Sequence, residues 1–338
     1  MDSEIGKDIE HVISEIGDSA AAFRRKTALV TGGSGFVGSY LCESLSEAGA
    51  NVVCVDNLSS GMSENLAALK AKPTFKFIKH DISEPLQISG KVDFIFHLAS
   101  LNAPPEFEQY GIEIIRANTF GTYHMLRLAE EKKAAILFVS SSEVYGDPSV
   151  VPTPETYIGK VNTVGPRGPY DESKRCGEVL CFAFRRRYGT KIKVVRPFNV
   201  YGPRQRWDDA HGKVVGKFIW RVLQNKPIII YGSGQQTRSF IYISDFIAAF
   251  LKMMAIDETD GEVVNIGSRD EISMIKLAKV VIKTVGNPVK LEFAPLPKDE
   301  PTRRCPDISK AKKLLRWQPK VPIEEGLKRT ADWLKKRL

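Results

Sequence analysis

No apolar run in this chain approaches the ~20 residues needed to cross a bilayer. The opening residues, MDSEIGKDIEHVISEIG, are acidic and amphipathic and lack the basic start and apolar middle of a secretory leader. A cytoplasmic address is therefore expected. Cysteine is scarce: Cys42, Cys54, Cys176, Cys181 and Cys305 are odd in number and free of CxxC spacing. That pattern argues against a disulfide framework or a zinc site and fits a reducing compartment, so no metal is expected. There is no internal repeat and no low-complexity segment. The glycines of the one glycine-rich turn are not followed by lysine, which speaks against a P-loop triphosphatase.

What is present suits an ordinary soluble chain. Its 338 residues, 43% hydrophobic and 26% charged, are enough for one large core and a smaller second lobe. The net charge of +9 is spread along the chain and is densest in SKAKKLLRWQPK and LKKRL. It reads as solvated helix faces, and as a balance suited to diphosphate ligands rather than to nucleic acid or a membrane surface.

Ile5, Ile9, Val12, Ile13 and Ile16 recur at helical spacing, so an amphipathic helix packed on the body is expected within residues 1–25. From Lys26 the texture changes. TALVTG, NVVCVD, FKFIKHD, VDFIFHLAS, AILFVSSS and IKVVRPFNV are six strand-like runs separated by helix-length segments. Parallel strands need such crossovers, so the expected fold class is α/β, a Rossmann-like doubly wound parallel sheet. After Gly202 the chain becomes rich in proline, glycine and charge, and a smaller C-terminal α/β domain is expected there.

TALVTGGSGFVGSYL reads as strand, turn and helix start, with Gly32, Gly35 and Gly38 as GxxGxxG. Such glycines let a pyrophosphate approach the helix N-terminus, where free N–H groups and the macrodipole favour anions. The next run ends in Asp56, placed to hold both hydroxyls of an adenosine ribose and to repel a 2′-phosphate. NAD is thus expected in preference to NADP. His80 and Asp81 are expected near the adenine and the HLAS run, His97 to Ser100, near the pyrophosphate, with His97 itself as a packed strand-end residue.

Tyr170 and Lys174 in YDESK lie four apart, hence on one helix face. A lysine ammonium favours a neighbouring phenolate, which makes Tyr170 a candidate general base. Ser140 to Ser142 end a strand-like run, where a hydroxyl could bridge Tyr170 and a substrate alcohol.

TGGSGFVGS, SSSEVYGD, YDESKR, NVYGPR, YGSGQQTRSF and NIGS, in that order, resemble the extended short-chain dehydrogenase/reductase family of NAD-dependent nucleotide-sugar enzymes. The resemblance runs from Lys26 to the C-terminus. SEVYGDP, YIGKVNTVGPRGPYDESKR and RRCPDI are most similar to the branch that decarboxylates UDP-glucuronic acid to UDP-xylose through a 4-keto sugar, recycling NAD. The resemblance implies Tyr170 as base, Lys174 as its partner and ribose ligand, Ser141 on the sugar 4-OH, and Glu143 and Arg304 as further catalytic residues. Cofactor contacts are implied at Gly32, Gly35, Phe36, Val37, Gly38, Asp56, Asn57, Asp81, Ile82, Leu98, Ala99, Ser100 and Asn118. Substrate contacts are implied at Asn199, Lys213, Val214, Tyr231 and Arg238, beside Ser141, Glu143 and Arg304.

The implied organisation is an NAD-binding domain at 26–201, with 238–265 returning to it, and a nucleotide-sugar-binding domain at 202–237 and 266–338. A homodimer through the Tyr170 helix is implied as well. Departures are Leu101, Asn102 and Ala103 near the expected sugar, Ser141 where threonine is usual, and Lys213 where arginine is typical. The alternative activity is UDP-sugar 4-epimerisation, and a more remote one is a non-catalytic dinucleotide sensor on the same fold.

Overall fold

The computed structural model describes residues 3–102, 104–297 and 299–338. In chain order the first part comprises α1 (Ser3–Ile16), β1 (Thr27–Thr31), α2 (Phe36–Glu47), β2 (Asn51–Asp56), β3 (Phe75–Lys79) and β4 (Phe94–His97). Then come α3 (Pro104–Gln109), α4 (Gly111–Arg116), α5 (Thr122–Lys132), β5 (Ala135–Val139), α6 (Gly168–Tyr188) and β6 (Ile192–Pro197). The remainder comprises β7 (Val200–Tyr201), α7 (Val214–Leu223), β8 (Ile228–Tyr231), β9 (Thr237–Ser239), β10 (Ile241–Tyr242), α8 (Ile243–Ala255) and β11 (Val263–Ile266). It closes with β12 (Glu271–Ser273), α9 (Met274–Val285), β13 (Leu291–Ala294), β14 (Arg303–Arg304), α10 (Ser309–Leu315) and α11 (Ile323–Lys335).

All six strand-like runs become strands of one seven-stranded sheet, ordered β11-β6-β5-β4-β1-β2-β3. Every neighbouring pair is parallel. Central strands such as Ala28–Leu29–Val30 are buried on both faces, which is why they read as continuous apolar runs. The edge strand β3 instead alternates lysine with apolar residues and is mostly half-exposed or exposed, a charged edge that discourages further pairing. From β1 the chain runs outward one way through β2 and β3, then crosses back to β4. The loops after β1 and β4 therefore part and open a crevice at the carboxyl ends of the strands. Three small sheets follow in the C-terminal part, β7 with β10, β9 with β12 and β14, and β8 with β13, and of these β7 reaches the crevice.

Helix α1 packs Ile5, Ile9, Val12 and Ile16 into the main core, with Ile13 only half-buried at its rim. Its acidic face is not all solvated: Asp8 is fully buried and accepts hydrogen bonds from Tyr40 (3.1 Å) and Tyr242 (3.0 Å) and pairs with Arg329 (3.1 Å). Burial pushes its carboxyl up to about 6 against those three partners. No helix among the described residues is long and apolar enough to cross a membrane.

The site depends on how α6 meets β5. Pro169 fits the first turn, where a missing N–H costs nothing. Gly189, at φ 68°, ends the helix in the left-handed conformation. A Cβ on Gly177 would stand 2.4 Å from the Phe138 ring, so only glycine lets α6 lie this close to the strand. That contact brings Tyr170 and Lys174 opposite the end of β5.

Candidate active site

A cleft of about 890 Å³ follows the carboxyl ends of β1, β2, β4, β5 and β6 and is closed on its far side by the 199–215 segment. At its cofactor end the backbone shapes the wall. Gly32 has φ 69°, and a Cβ there would lie 2.9 Å from the Ala99 Cα. A Cβ on Gly38 would meet the Gly32 carbonyl oxygen at 2.1 Å. Side chains are thus excluded and the start of α2 is left facing the cleft, the geometry an anionic pyrophosphate needs. Asp56, at the end of β2, accepts from the Ser34 N–H (3.0 Å) and the Leu58 N–H (2.8 Å) and still lines the cleft with lone pairs to spare. Asn57, Asp81 and Ile82 continue this wall, with Asn57 donating to Asp81 (3.1 Å). Phe36, Val37, Leu98, Ala99 and Ser100 line it too. Such a cradle, shaped for a diphosphate and ending in a ribose-sized carboxylate contact, fits a dinucleotide.

Asn118 does not line this cleft; it is buried and donates to Ser173 (2.9 Å), with its Oδ1 unpartnered among the described residues. His97 is buried between Thr31 (2.8 Å) and Thr122 (3.1 Å), and burial, aided by the charge of Lys174, pulls it down to about 3. It packs as a neutral strand-end residue.

At the sugar end, Ser141, Glu143, Tyr170 and Lys174 share the cleft wall with Asn199, Lys213 and Val214. The Tyr170 ring stacks on Phe107, with centroids 4.8 Å apart and planes within 9°. Burial pushes its phenol well above the ordinary range, while the Ser141 hydroxyl and the Arg167 charge pull it back and Glu143 and Asp171 add to the rise. The Lys174 ammonium was expected to do that lowering. Instead it donates to the Val139 carbonyl (2.9 Å), and burial draws it down to about 7. A buried ammonium in a dry pocket loses hydration that one carbonyl restores only in part.

Glu143 is the second residue of the short helical turn Ser142–Tyr145 that follows Ser141, whose hydroxyl accepts its N–H at 3.2 Å. Arg304 binds its carboxylate with both terminal nitrogens, one at 2.8 Å, and Arg167 binds it from a second side. Despite burial, the two guanidiniums, with Lys213 contributing, hold Glu143 down at about 2. The paired arginines thus favour its ionised form. Arg304 is a buried member of β14, outside the cleft lining, and reaches the site only through Glu143.

Arg238 also lies outside the lining: it is buried and spends its guanidinium on Glu300 (2.5 Å) and the Pro301 (2.7 Å) and Thr237 (2.8 Å) carbonyls. Tyr231 is 44% exposed and likewise absent from the cleft wall. The expected contacts at Tyr231, Arg238 and Arg304 are therefore not cleft contacts, because these side chains face protein partners or solvent. Leu101 and Asn102 line the cleft, and the Asn102 carbonyl accepts from Lys213; Ala103 lies outside the described residues. Sequence reasoning missed Arg167 and Phe107. Arg167 stands three residues before Tyr170, a helical spacing that could have singled it out.

A parallel doubly wound sheet, a glycine-shaped diphosphate cradle and a Ser–Tyr–Lys group at one cleft define a dinucleotide-dependent enzyme class. Residues 28–267 match the model of the NAD dependent epimerase/dehydratase family, and the chain belongs to that family. It is 43% identical over 314 residues to UDP-glucuronic acid decarboxylase 1 of Xenopus tropicalis, covering 93% of this chain and 73% of that one. UDP-glucuronic acid decarboxylase 1 of Arabidopsis thaliana is 41% identical over 315 residues, covering 93% and 71%. Among solved structures, UDP-glucuronic acid 4-epimerase from Bacillus cereus, in complex with UDP-glucuronic acid and NAD, matches with a TM-score of 0.82 and 29% identity over 92% of this chain and 100% of that one.

Proposed function

We propose that this protein converts UDP-glucuronic acid to UDP-xylose and CO2, with NAD as a recycled cofactor. The observation that carries the reading is Glu143, held ionised between Arg167 and Arg304 beside Ser141 and Tyr170. Such a cluster suits a sugar that brings its own carboxylate to the reacting carbon. The decarboxylase relatives support the same choice over the 4-epimerase reading.

NAD, when bound on the glycine cradle, supplies a hydride acceptor at the sugar's C4 and later the donor. Tyr170 takes the 4-OH proton, passed through or steadied by the Ser141 hydroxyl. The sugar is then a 4-ketone with its C6 carboxylate β to the carbonyl. The C5–C6 bond breaks, CO2 leaves, and the electron pair moves into the ketone as an enolate. The Tyr170 hydroxyl, now protonated, donates to that oxygen as charge develops, stabilisation of the oxyanion kind. C5 takes its proton from water, which the Glu143 carboxylate is placed to orient. Hydride return to C4 and proton return from Tyr170 to O4 complete UDP-xylose. Lys174 would contact a ribose hydroxyl of the bound cofactor and, when protonated, would be the counter-charge for the phenolate.

In this reading the seven-stranded sheet binds the cofactor and the C-terminal lobe binds the nucleotide sugar, with Asn199 on the cleft wall beside it. Five free cysteines fit a reducing, cytoplasmic setting. A homodimer through α4, α5 and α6 is supported by the exposed apolar face of Ile112, Ile115, Phe120, Tyr123 and Val179. Incubation of the pure protein with UDP-glucuronic acid and NAD tests the function: UDP-xylose with CO2 supports it. UDP-galacturonic acid without CO2 makes the protein a 4-epimerase, and no turnover of any UDP-sugar leaves the sensor.

A further inference from the structure

We infer that Arg167 is the specificity residue that reads the sugar's carboxylate, and that Glu300 competes with that carboxylate for its guanidinium. The inference rests on the uronic-acid reading above and names the group that recognises the acid.

The cluster around Glu143 contains three arginines, but only Arg167 lines the cleft; Arg238 and Arg304 do not. Arg304 commits both terminal nitrogens to Glu143, and Arg238 is filled by Glu300 and backbone carbonyls. The other cleft cations have partners of their own: Arg204 pairs with Glu43 (2.7 Å), Arg206 with Glu106 (2.7 Å) and Arg116 with Glu84 (2.8 Å), while Lys174 donates to the Val139 carbonyl (2.9 Å) and Lys213, which also faces Glu143, to the Asn102 carbonyl.

Arg167 is surrounded by acids. Its Nη2 holds Glu143, its Nε lies 3.9 Å from Asp171, and its Nη1 lies 3.5 Å from Glu300. The first contact is a tight charge-assisted bond. The last is a loose ion pair, since good N–H···O bonds run to about 3.2 Å. Glu300 has a firmer partner of its own in Arg238, at 2.5 Å. One face of Arg167 is therefore anchored and the other is open to exchange for an incoming carboxylate.

Position fits the chemistry. C4, whose hydroxyl meets Tyr170, and C6, the carboxylate carbon, are separated by the single atom C5. Whatever reads the carboxylate must stand beside Tyr170, and Arg167 precedes it by one helical turn at the start of α6. Its ring-stacked neighbour Phe107, 5.7 Å from the guanidinium carbon, lies against the Tyr170 ring and fixes the two relative to each other. The product has no C6, so it forfeits this contact, and the same residue separates acid substrate from product.

Binding measured by calorimetry on NAD-loaded protein, in a Tyr170→Phe background that prevents turnover, tests the assignment. The probes are UDP-glucuronic acid and UDP-glucose, which differ at C6 alone. The Tyr170→Phe parent should prefer the acid, and Arg167→Gln should weaken the acid roughly 10- to 100-fold while UDP-glucose stays within about 3-fold. Equal weakening of both, or an undiminished preference, overturns the assignment while leaving the decarboxylase reading intact. A parent with no preference for the acid sinks the uronic-acid reading and the assignment with it. Should Arg167→Gln fail to bind NAD, Glu300→Gln decides. Removing the competing acid should raise the preference for UDP-glucuronic acid several-fold, and an unchanged preference counts against the assignment.

Discussion

The two ends of the cleft are built by opposite means. The cofactor end is made of backbone: glycines that exclude Cβ atoms, a helix start, and the N–H groups of Ser34 and Leu58 that donate to the Asp56 carboxylate. The sugar end is made of charge: Glu143, Arg167, Arg238, Glu300 and Arg304 arrive from separate parts of the chain and compensate one another. A backbone cradle is indifferent to pH and tolerates many partners of one shape. A compensated ion cluster is selective, but each charge depends on the others staying in place.

Variants can break that contrast. Tyr170→Phe, at the seam between the two ends, should lower kcat by roughly 100- to 10,000-fold while leaving NAD affinity nearly unchanged, as measured by steady-state turnover and cofactor titration. Glu143→Gln acts on the sugar end alone. Its folded-state pKa of about 2 lies below the ordinary 4.5, so ionised Glu143 stabilises the fold above about pH 4.5 and that contribution is lost as pH falls toward 2. Denaturant unfolding should show Glu143→Gln weaker than the parent by on the order of 3 kcal/mol at pH 7, the gap closing by about pH 2. A gap independent of pH would mean that the carboxylate charge is not what the arginines hold.

Gly38→Ala is the reciprocal test. Its new Cβ would collide with the Gly32 carbonyl, a backbone atom that cannot swing aside. NAD affinity should fall roughly 10- to 100-fold while UDP affinity stays within about 2-fold, by titration of each ligand separately. Loss of both together would show that the two ends are not independent.

The same contrast explains what the sequence could tell. The strands, the glycine turn and Asp56 lie within one short stretch, where spacing alone carries the geometry. Tyr170, Lys174 and Ser141 are nearly as local. Arg304 was pointed to only by family likeness, and its bond to Glu143 joins residues 161 apart in the chain. Arg167 was in plain view within GPRGPYDESKR, yet its role depends on Glu300 and Phe107, which no periodicity links to it. Lys174 shows a different limit: spacing places it on the face of Tyr170, but only the fold shows that it is buried and donates to the Val139 carbonyl. Asp8 shows the converse, an apparently solvated acid of α1 that folding buries among two tyrosines and an arginine.

The central claim is that the charged end of the cleft commits the 4-keto sugar to losing C6. Turnover of UDP-glucuronic acid carrying 13C at C6, run in D2O with NAD present, follows that carbon directly. The account predicts that the label leaves as 13CO2 and that the UDP-xylose formed carries one deuterium at C5. Label retained in UDP-galacturonic acid, with no CO2 released, would contradict it.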